Sequence, residues 1–490
     1  MPGRARALPA PAFVDLMDRA GVRRVCLLTV ALAAALGYGN SLQNGFVLDD
    51  GGVIVRNPLV TSPGTAWRAF GSPYWPEAVG GGQYRPLGIV AFALDWFVSG
   101  GDATWFHAVN VAWHVGVTVA VWLLAAELLA PMAALVAALL FAVHPVHVEA
   151  VANVVGRLES MAAVFVLLAL LAHRRGHWPS VVWFAAGLLS KEVAIVFVGL
   201  AAAHDLLVAG DSRTAFRSRK RLYLAYGAVI VAFAGVIAVV FHDRAFVSTA
   251  RAFNGTSVGE RLLTVASVVP HYVRLLVAPV DLSANYEPAV IPLVTGLTVA
   301  GALGIALTVG YAAVVVVAWR RAPALAFMLA WIGIALAPVS NVFFASGITL
   351  AERTLYLPSV GACLTAGWMA QHAAVKRPAI VMATAAALAL GFAARSWTRT
   401  PVWQDDRTYL TTLLEDHPES YYGHFTAGRV LKATRDYDRA AHELTIARRI
   451  FARDPAVYRE AAEVAAARGR PDEAARLLDS ASTIATRTTR

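Results

Sequence analysis

Apolar runs of about 20 residues recur along most of this 490-residue chain, and they constrain its fold more than any other feature. An α-helix needs a run of that length to cross a bilayer, because each residue rises about 1.5 Å and the hydrocarbon core is about 30 Å thick. Only 15% of the residues are charged, against roughly a quarter in soluble domains. The sequence therefore predicts an all-α, polytopic membrane protein.

About eleven of these runs qualify as candidate membrane spans. The run 261–279 is ambiguous, because Pro270, His271 and Arg274 interrupt it. Counting it as a span would invert the topology of everything after it. The candidate spans are about 25–43, 105–129, 131–148, 158–172, 179–190, 193–209, 222–241, 292–318, 324–340, 355–371 and 378–394.

Basic clusters between the runs predict the orientation, because cytoplasmic loops of membrane proteins are enriched in Lys and Arg. The clusters alternate with the runs if segment 1–24 is cytoplasmic. The membrane domain then covers 25–395, with its loop 44–104 and the tail 396–490 both on the non-cytoplasmic side. Only four of the 42 basic residues are lysine, and this bias indicates a GC-rich bacterial source. We expect a multi-pass protein of the bacterial cell membrane.

The tail 396–490 is charged and helix-forming, and it contains an internal repeat with a spacing of 34. Ala440 corresponds to Ala474 and Leu444 to Leu478, and Asp454-Pro455 closes a helix pair. This period is typical of tetratricopeptide (TPR) repeats, which need neighbours to bury their faces. The large aromatic residue expected early in each repeat is missing, so an ordinary helical hairpin is the alternative.

Two adjacent aspartates, Asp49 and Asp50, follow the first apolar run. A carboxylate beside the hydrocarbon boundary loses water and is costly unless it has a use. It suits a general base that removes a proton from an acceptor hydroxyl, and two neighbouring carboxylates raise one pKa toward that role. A loop turn before Gly51-Gly52 is the alternative.

Further charged residues lie in the predicted outer stretches. Charged groups at membrane depth usually face a cavity and pair with each other, so several clusters at one face indicate one shared site. These residues are Arg85, His144, His147, Glu149, Arg157, Glu159, Lys191, Glu192, Glu352 and Arg353.

The histidine cluster permits three interpretations. His144, His147 and Glu149 have metal-ligand spacing, but Pro145 interrupts the helix on which they would share a face. Hydrogen bonds to a phosphate or sugar, or structural packing, are the other two. We predict no metal site.

Two opposite-charge neighbours, Lys191-Glu192 and Glu352-Arg353, also permit two interpretations. They are either buried ions that satisfy each other or a source of cations for a lipid phosphate. A fixed cation aimed at developing phosphate charge makes a large catalytic contribution.

Six stretches occur in a fixed order: FVLDD, YRPL, FHAVNVAWH, LFAVHPVHVEAVANVVGRLE, LLSKE and LAERTLYLPSVG. Together they resemble the transmembrane and tetratricopeptide-repeat O-mannosyltransferases, which have the GT-C glycosyltransferase fold. The resemblance covers about 38–371 and the repeat tail. It implies transfer of a sugar, mannose in known members, from a polyprenyl-phosphate carrier to a Ser/Thr hydroxyl of a protein. Transfer would invert the anomeric carbon on the non-cytoplasmic face.

The resemblance also implies roles for the residues. Asp49 or Asp50 would be the catalytic base, and the other named residues would bind substrate, with Lys191, Arg353 and either His147 or Arg157 holding the departing phosphate. No cofactor is expected beyond the lipid-linked donor, although a divalent metal stays open. Acceptor protein, donor lipid and an outer-face partner of the tail are the expected partners, and nucleic acid is not.

The tail departs from the family, because it has about two repeats where relatives carry a longer array. Two other functions stay open: a flippase or carrier for a lipid-linked sugar, and a non-catalytic assembly factor of the cell envelope. Deleting the residues after about 400 should separate an enzyme from a scaffold. The sugar, the acceptor and the oligomeric state are not determined by the sequence.

Overall fold

The computed structural model describes residues 20–76, 82–242, 253, 255–286 and 289–488, and all regular structure in these ranges is helical. This confirms the all-α prediction. Of the predicted cytoplasmic segment 1–24, residues 1–19 lie outside the described residues. The helices up to residue 240 are α1 (Ala20–Gly37), α2 (Pro58–Thr61), α3 (Pro86–Ser99), α4 (Ala103–Leu128), α5 (Pro131–Ala142), α6 (Val148–Ala152), α7 (Arg157–Arg174), α8 (Pro179–Ser190), α9 (Val196–Leu207), α10 (Ser212–Ser218) and α11 (Lys220–Val240).

The rest of the membrane part contains α12 (Val258–Val277), α13 (Val299–Arg321), α14 (Pro323–Leu336), α15 (Tyr356–Ala374) and α16 (Pro378–Arg399). The ambiguous run 261–279 forms α12, with Pro270 inside the helix. The tail contains α17 (Asp406–Asp416), α18 (Tyr421–Ala433), α19 (Tyr437–Ile450), α20 (Pro455–Ala467) and α21 (Pro471–Thr488).

Five helices in the described ranges are long and apolar enough to cross a membrane, and the bent pair α5–α6 adds a sixth if it counts as one span. They are α4, α7 with the turn before it, α11, α13 and α16 with the turn after it. Together with shorter apolar helices they make this a multi-pass membrane protein. The predicted number of about eleven spans is not confirmed, because α5, α8 and α9 have only 12 residues each. A helix of that length is about 18 Å long, well short of the hydrocarbon core.

One large apolar core joins the membrane helices. Helices α4 to α9, α14 and α15 contribute most of its buried side chains, including Phe141, Phe197 and Trp331. The core also includes Trp403 and Tyr409, from the segment that follows α16. α17 therefore packs with the membrane helices, although it begins beyond residue 396.

The tail from α18 onward has a core of its own, in which Tyr421, Phe425 and Ala440 are buried. Close packing of α18 on α19 depends on Gly428, because a Cβ there would lie 2.6 Å from Leu444. Ala440 and Ala474 are both buried, as a repeat requires. Leu478 is 52% exposed, whereas Leu444 is fully buried, so the two units differ.

Candidate functional site

The adjacent aspartates have different surroundings. Asp50 is fully buried, and its carboxylate accepts hydrogen bonds from the backbone N–H groups of Val47 and Val155, both at 2.9 Å. It thereby joins residues 45–50, the acidic loop, to the turn that precedes α7. Asp49 is exposed and makes no hydrogen bond or ion pair with the described residues. Of the two carboxylates, only that of Asp49 is accessible.

Both carboxyl groups hold protons more tightly than an ordinary aspartate. Desolvation raises the pKa of Asp50 from 3.8 to about 7, against the hydrogen bonds from Val47 and Val155. Asp49 faces an opening, yet the surrounding protein displaces enough water to raise its pKa, and nearby Arg353 offsets this only in part. A raised pKa favours proton uptake from a hydroxyl.

The acidic loop has an unusual backbone. Leu48, immediately before Asp49, has a φ of 48°, in the left-handed region that non-glycine residues rarely occupy. Such a conformation costs of the order of 1–3 kcal/mol and persists only where neighbouring contacts hold it. The turn after the loop, Gly51–Val55, is π-helical, a form that is frequent at functional sites.

Arg353 pairs with Glu149, and not with its chain neighbour Glu352. The backbone N–H of Arg353 donates to Glu149 Oε2 at 2.8 Å, and its guanidinium pairs with Oε1 of the same carboxylate. Desolvation lowers the pKa of Arg353, but Glu149 and Glu159 outweigh it and the net shift is upward. The Arg353 side chain is 32% exposed, so part of the guanidinium remains accessible.

Lys191 and Glu192 also point to different partners. Lys191 pairs with Glu159, whereas Glu192 accepts from Arg85 Nε at 2.9 Å and from its Nη2. The separation follows from the extended backbone of Lys191 (φ −160°, ψ 138°), which sends the two side chains to opposite sides. The Lys191 and Arg85 side chains are only 13% and 10% exposed.

These pairs form one electrostatic cluster around Asp49. Arg353 and Glu149 perturb Asp49, and Arg85 does so more weakly. Lys191 is in turn influenced by Arg85 and Arg353. Seven of the charged side chains named from the sequence thus belong to one cluster in the structure: Asp49, Arg85, Glu149, Glu159, Lys191, Glu192 and Arg353.

Glu352 lies behind this cluster. It is 2% exposed and accepts hydrogen bonds from Ser283 N at 2.7 Å and from the Tyr286 hydroxyl at 2.9 Å. Desolvation raises its pKa to about 7. Its contacts hold the segment after α12, so the structure favours a supporting position for Glu352 over a substrate contact.

Arg157 is fully buried and all of its contacts are internal. It pairs with Asp95, donates to Asn110 Oδ1 at 2.6 Å and to Phe106 O at 2.8 Å, and lies over the Phe92 ring. No part of the guanidinium is accessible to a phosphate. The structure therefore places Arg157 in packing between α3, α4 and α7, whereas we predicted a substrate contact.

His144 and His147 are also buried. His144 Nε2 lies 3.2 Å from Leu276 O, and His147 Nε2 lies 2.8 Å from Ser359 Oγ. His147 is surrounded by the rings of Phe141 and Tyr356. Of the three interpretations of this cluster, the structure favours packing. The two rings do not converge with Glu149 on a common ligand position in the described residues.

One group with metal-ligand spacing does occur in the described ranges: His173, His204 and Asp205. Both oxygens of Asp205 are already engaged, by the two histidines, Tyr223 and the Arg219 guanidinium. A guanidinium in the ligand sphere repels a cation, so this group is a buried hydrogen-bonded clamp. It lies at the end of α7 away from Glu159, about 20 Å along the helix.

Three residues that organise the site region were not predicted from the sequence. Asp95 is the single carboxylate in the apolar helix α3. A lone carboxylate in such a helix predicts a buried partner, so the sequence alone could have identified it. Asn110 lies in the quoted stretch FHAVNVAWH but had no assigned role. Asp406, whose Oδ1 accepts the backbone N–H of Leu48 at 2.7 Å, lies in the tail, where no sequence pattern connects it to the acidic loop.

Comparison with known proteins confirms the resemblance that the six stretches indicated. A protein-family profile described as dolichyl-phosphate-mannose-protein mannosyltransferase matches residues 94–240. A protein O-mannosyl-transferase of Caenorhabditis elegans is 28% identical over 426 residues, 84% of this chain and 60% of that protein. The protein O-mannosyl-transferase TMTC4 of Homo sapiens is 27% identical over 469 residues, 82% of this chain and 63% of that protein.

A shorter match is more similar. The protein O-mannosyl-transferase Tmtc2 of Drosophila melanogaster is 35% identical over 295 residues, 56% of this chain and 31% of that protein. The chain thus spans less than two thirds of the length of each of these relatives. No solved structure matches it.

Proposed function

We propose that this chain, as a relative of the protein O-mannosyl-transferases, is an integral-membrane glycosyltransferase. It moves a sugar, mannose in the first instance, from a polyprenyl-phosphate carrier to a Ser/Thr hydroxyl of a protein, with inversion. The observation that carries the proposal is the carboxylate of Asp49, which is exposed, has no hydrogen bond or ion pair among the described residues, and is influenced by the charge of Arg353. A base and a phosphate-binding cation are the two groups that this transfer requires.

The roles follow from exposure. Asp49 accepts the hydroxyl proton as the acceptor oxygen forms its bond to C1 of the sugar. The bond between C1 and the phosphate oxygen breaks on the opposite face, and the carrier leaves as a polyprenyl phosphate. Arg353 is the most exposed of the three site cations, so we assign it to the phosphate. Asp50 holds the loop that presents Asp49.

The wider setting is part of the same proposal. We place the chain in a bacterial cell membrane with the site and tail on the outer side, in a GT-C-type bundle in which short helices such as α8 and α9 complete further crossings. α18 to α21 would act as TPR-like units that bind an outer-face protein. The reaction needs no cofactor besides the donor lipid. Whether it also requires a divalent cation is tested in the assay below.

The test is transfer of radiolabelled mannose from polyprenyl-phosphate-mannose to a peptide acceptor by purified protein in detergent, with and without Mg²⁺ or Mn²⁺. We expect label transfer by the wild type and a loss of about a hundredfold or more in Asp49→Asn. Asp102→Asn is the matched control, because Asp102 lies in the same loop and caps α4, and asparagine caps a helix equally well.

Equal transfer by Asp49→Asn and wild type would overturn the assignment of the base. If neither polyprenyl-phosphate-mannose nor other polyprenyl-phosphate sugars serve as donors, the proposal that this chain is a glycosyltransferase would be overturned. Movement of the labelled lipid across a vesicle bilayer by the same protein would then support the carrier alternative.

A further inference from the structure

The segment between α16 and α17 contacts the acidic loop directly. Asp406 Oδ1 accepts the backbone N–H of Leu48 at 2.7 Å. Gln404 O accepts the backbone N–H of Gly45 at 2.8 Å. These two hydrogen bonds, with the one from Val47 to Asp50, hold the backbone immediately before Asp49.

The Asp406 contact coincides with the strained residue. Leu48 has its φ of 48° at the point where its N–H meets Asp406. A leucine released from that contact would relax toward negative φ, because its Cβ disfavours the left-handed region. Relaxation would rotate the peptide that joins Leu48 to Asp49 and change the direction of the Asp49 side chain.

The segment that supplies Asp406 is itself firmly attached to the membrane part. Val402 and Trp403 are buried in the main core. The Tyr409 hydroxyl donates to Ala284 O at 3.0 Å, and Asn44 Nδ2 donates to Thr400 O at 3.3 Å. The start of α17 is therefore a fixed support, and not part of a loosely tethered tail.

We propose that Asp406 is a positioning residue, which holds Leu48 in its left-handed conformation and thereby aims Asp49 at the acceptor hydroxyl. The inference deepens the proposed function and rests on it. It assigns the first residue of α17 to the chemistry of the membrane site, and it connects the helices that follow to the base through the hydrogen bond from Leu48.

Three variants test this proposal. Asp406→Ala removes the acceptor, and we expect kcat for transfer to fall by about tenfold or more with KM for the donor lipid unchanged, since small misplacements of a catalytic group are costly. Asp406→Asn keeps an oxygen acceptor and should retain most activity. Adding Leu48→Gly to Asp406→Ala should restore much of the lost kcat, because glycine adopts positive φ without a steric cost.

Asp405→Asn is the matched control, because Asp405 caps α17 and has no hydrogen bond to the acidic loop among the described residues. Unchanged kcat in Asp406→Ala, or no recovery on adding Leu48→Gly, would overturn the proposal. A second readout is independent of activity: hydrogen exchange in the peptide 45–52 should accelerate in Asp406→Ala and not in Asp405→Asn. If the wild type transfers no sugar, the proposed function fails, and unaltered exchange would show separately that Asp406 does not hold the loop.

Discussion

Glu149 binds both the backbone N–H and the guanidinium of Arg353, a residue 204 positions later in the chain. One carboxylate thus fixes the start of the turn before α15 and the direction of the cation that the turn carries. The guanidinium is presented from a defined position, although a third of its side chain is accessible.

Replacing Glu149 should therefore reduce both stability and activity. In Glu149→Gln the charge of the acceptor is lost and Arg353 is no longer held, so we expect a loss of about 1–3 kcal/mol in the free energy of unfolding. Transfer should fall by about tenfold or more. Thermal unfolding in detergent and the mannose assay measure the two effects.

The control for this variant is Glu127→Gln. Glu127 pairs with Arg174 and Arg175 at the other end of α7, and its side chain is 30% exposed. Exposed pairs contribute about 0–1 kcal/mol, so this change should leave stability and transfer nearly unchanged. Similar losses in the two variants would contradict a specific role for the Glu149–Arg353 pair.

Replacing Asp49 and Asp50 separately should have different effects on stability and on transfer. Asp50→Ala leaves the buried N–H of Val47 and the part-buried N–H of Val155 without an acceptor. An unsatisfied buried group costs about 1–3 kcal/mol, so Tm should fall clearly. Asp49→Ala should leave Tm close to that of the wild type and abolish transfer. A large fall of Tm in Asp49→Ala would mean that its carboxylate has a structural partner.

The raised pKa of the Glu352 carboxyl group predicts that the stability of the protein depends on pH. Its pKa is raised from 4.5 to about 7 in the folded protein, so the native state binds this proton more tightly than the unfolded chain does. Its contribution is fully present below about pH 4.5 and is lost as the pH rises toward 7. Tm in detergent should fall over this range.

Glu352→Gln should reduce the fall of Tm with pH. Glutamine remains neutral and its Oε1 can still accept from Ser283 and Tyr286. The remaining slope should come largely from Asp50, whose pKa is also raised to about 7. Equal slopes for the wild type and Glu352→Gln would show that this carboxyl group does not titrate in the range.

Truncation should show where the catalytic unit ends. A chain that stops after Asp416 keeps Gln404, Asp406 and the buried side chains of α17, and we expect it to retain transfer to a small peptide. A chain that stops after Arg399 loses these contacts with the acidic loop and should lose most activity. Equal activity of the two chains would argue against any role of the segment 400–416.

The packing of this segment also changes the deletion test that the sequence favoured. A cut at about 400 would remove part of the membrane core together with the tail, because Trp403 and Tyr409 are buried in that core. An inactive product would then be expected of an enzyme as well as of a scaffold. A cut after Asp416 distinguishes the two.

All seven charged residues of the cluster were named from the sequence, but their partners were not. Lys191 and Glu192 are chain neighbours, yet each pairs across the bundle, with residues 32 and 107 positions away. Such pairing depends on how helices pack, which a motif does not encode. The burial of Arg157 was not foreseen for the same reason, since its counter-ion Asp95 lies in another helix and belongs to none of the six stretches.

The predicted number of spans is not confirmed for a different reason. Hydropathy detects apolar composition, whereas a crossing also needs uninterrupted length. A break before Pro145 splits the run 131–148, and the runs 179–190 and 193–209 form helices of only 12 residues each. The helical class of the fold depended only on composition and periodicity, and it was predicted correctly.

The pairing pattern has a consequence for the energetics of the proposed transfer. Each of the three site cations already faces one carboxylate, and Asp49 is the carboxylate that remains. When Asp49 takes up the acceptor proton, its negative charge disappears while an equal charge appears on the departing phosphate. The reaction thus relocates one charge across the pocket and creates none, so a poorly hydrated site can accommodate the products as readily as the reactants.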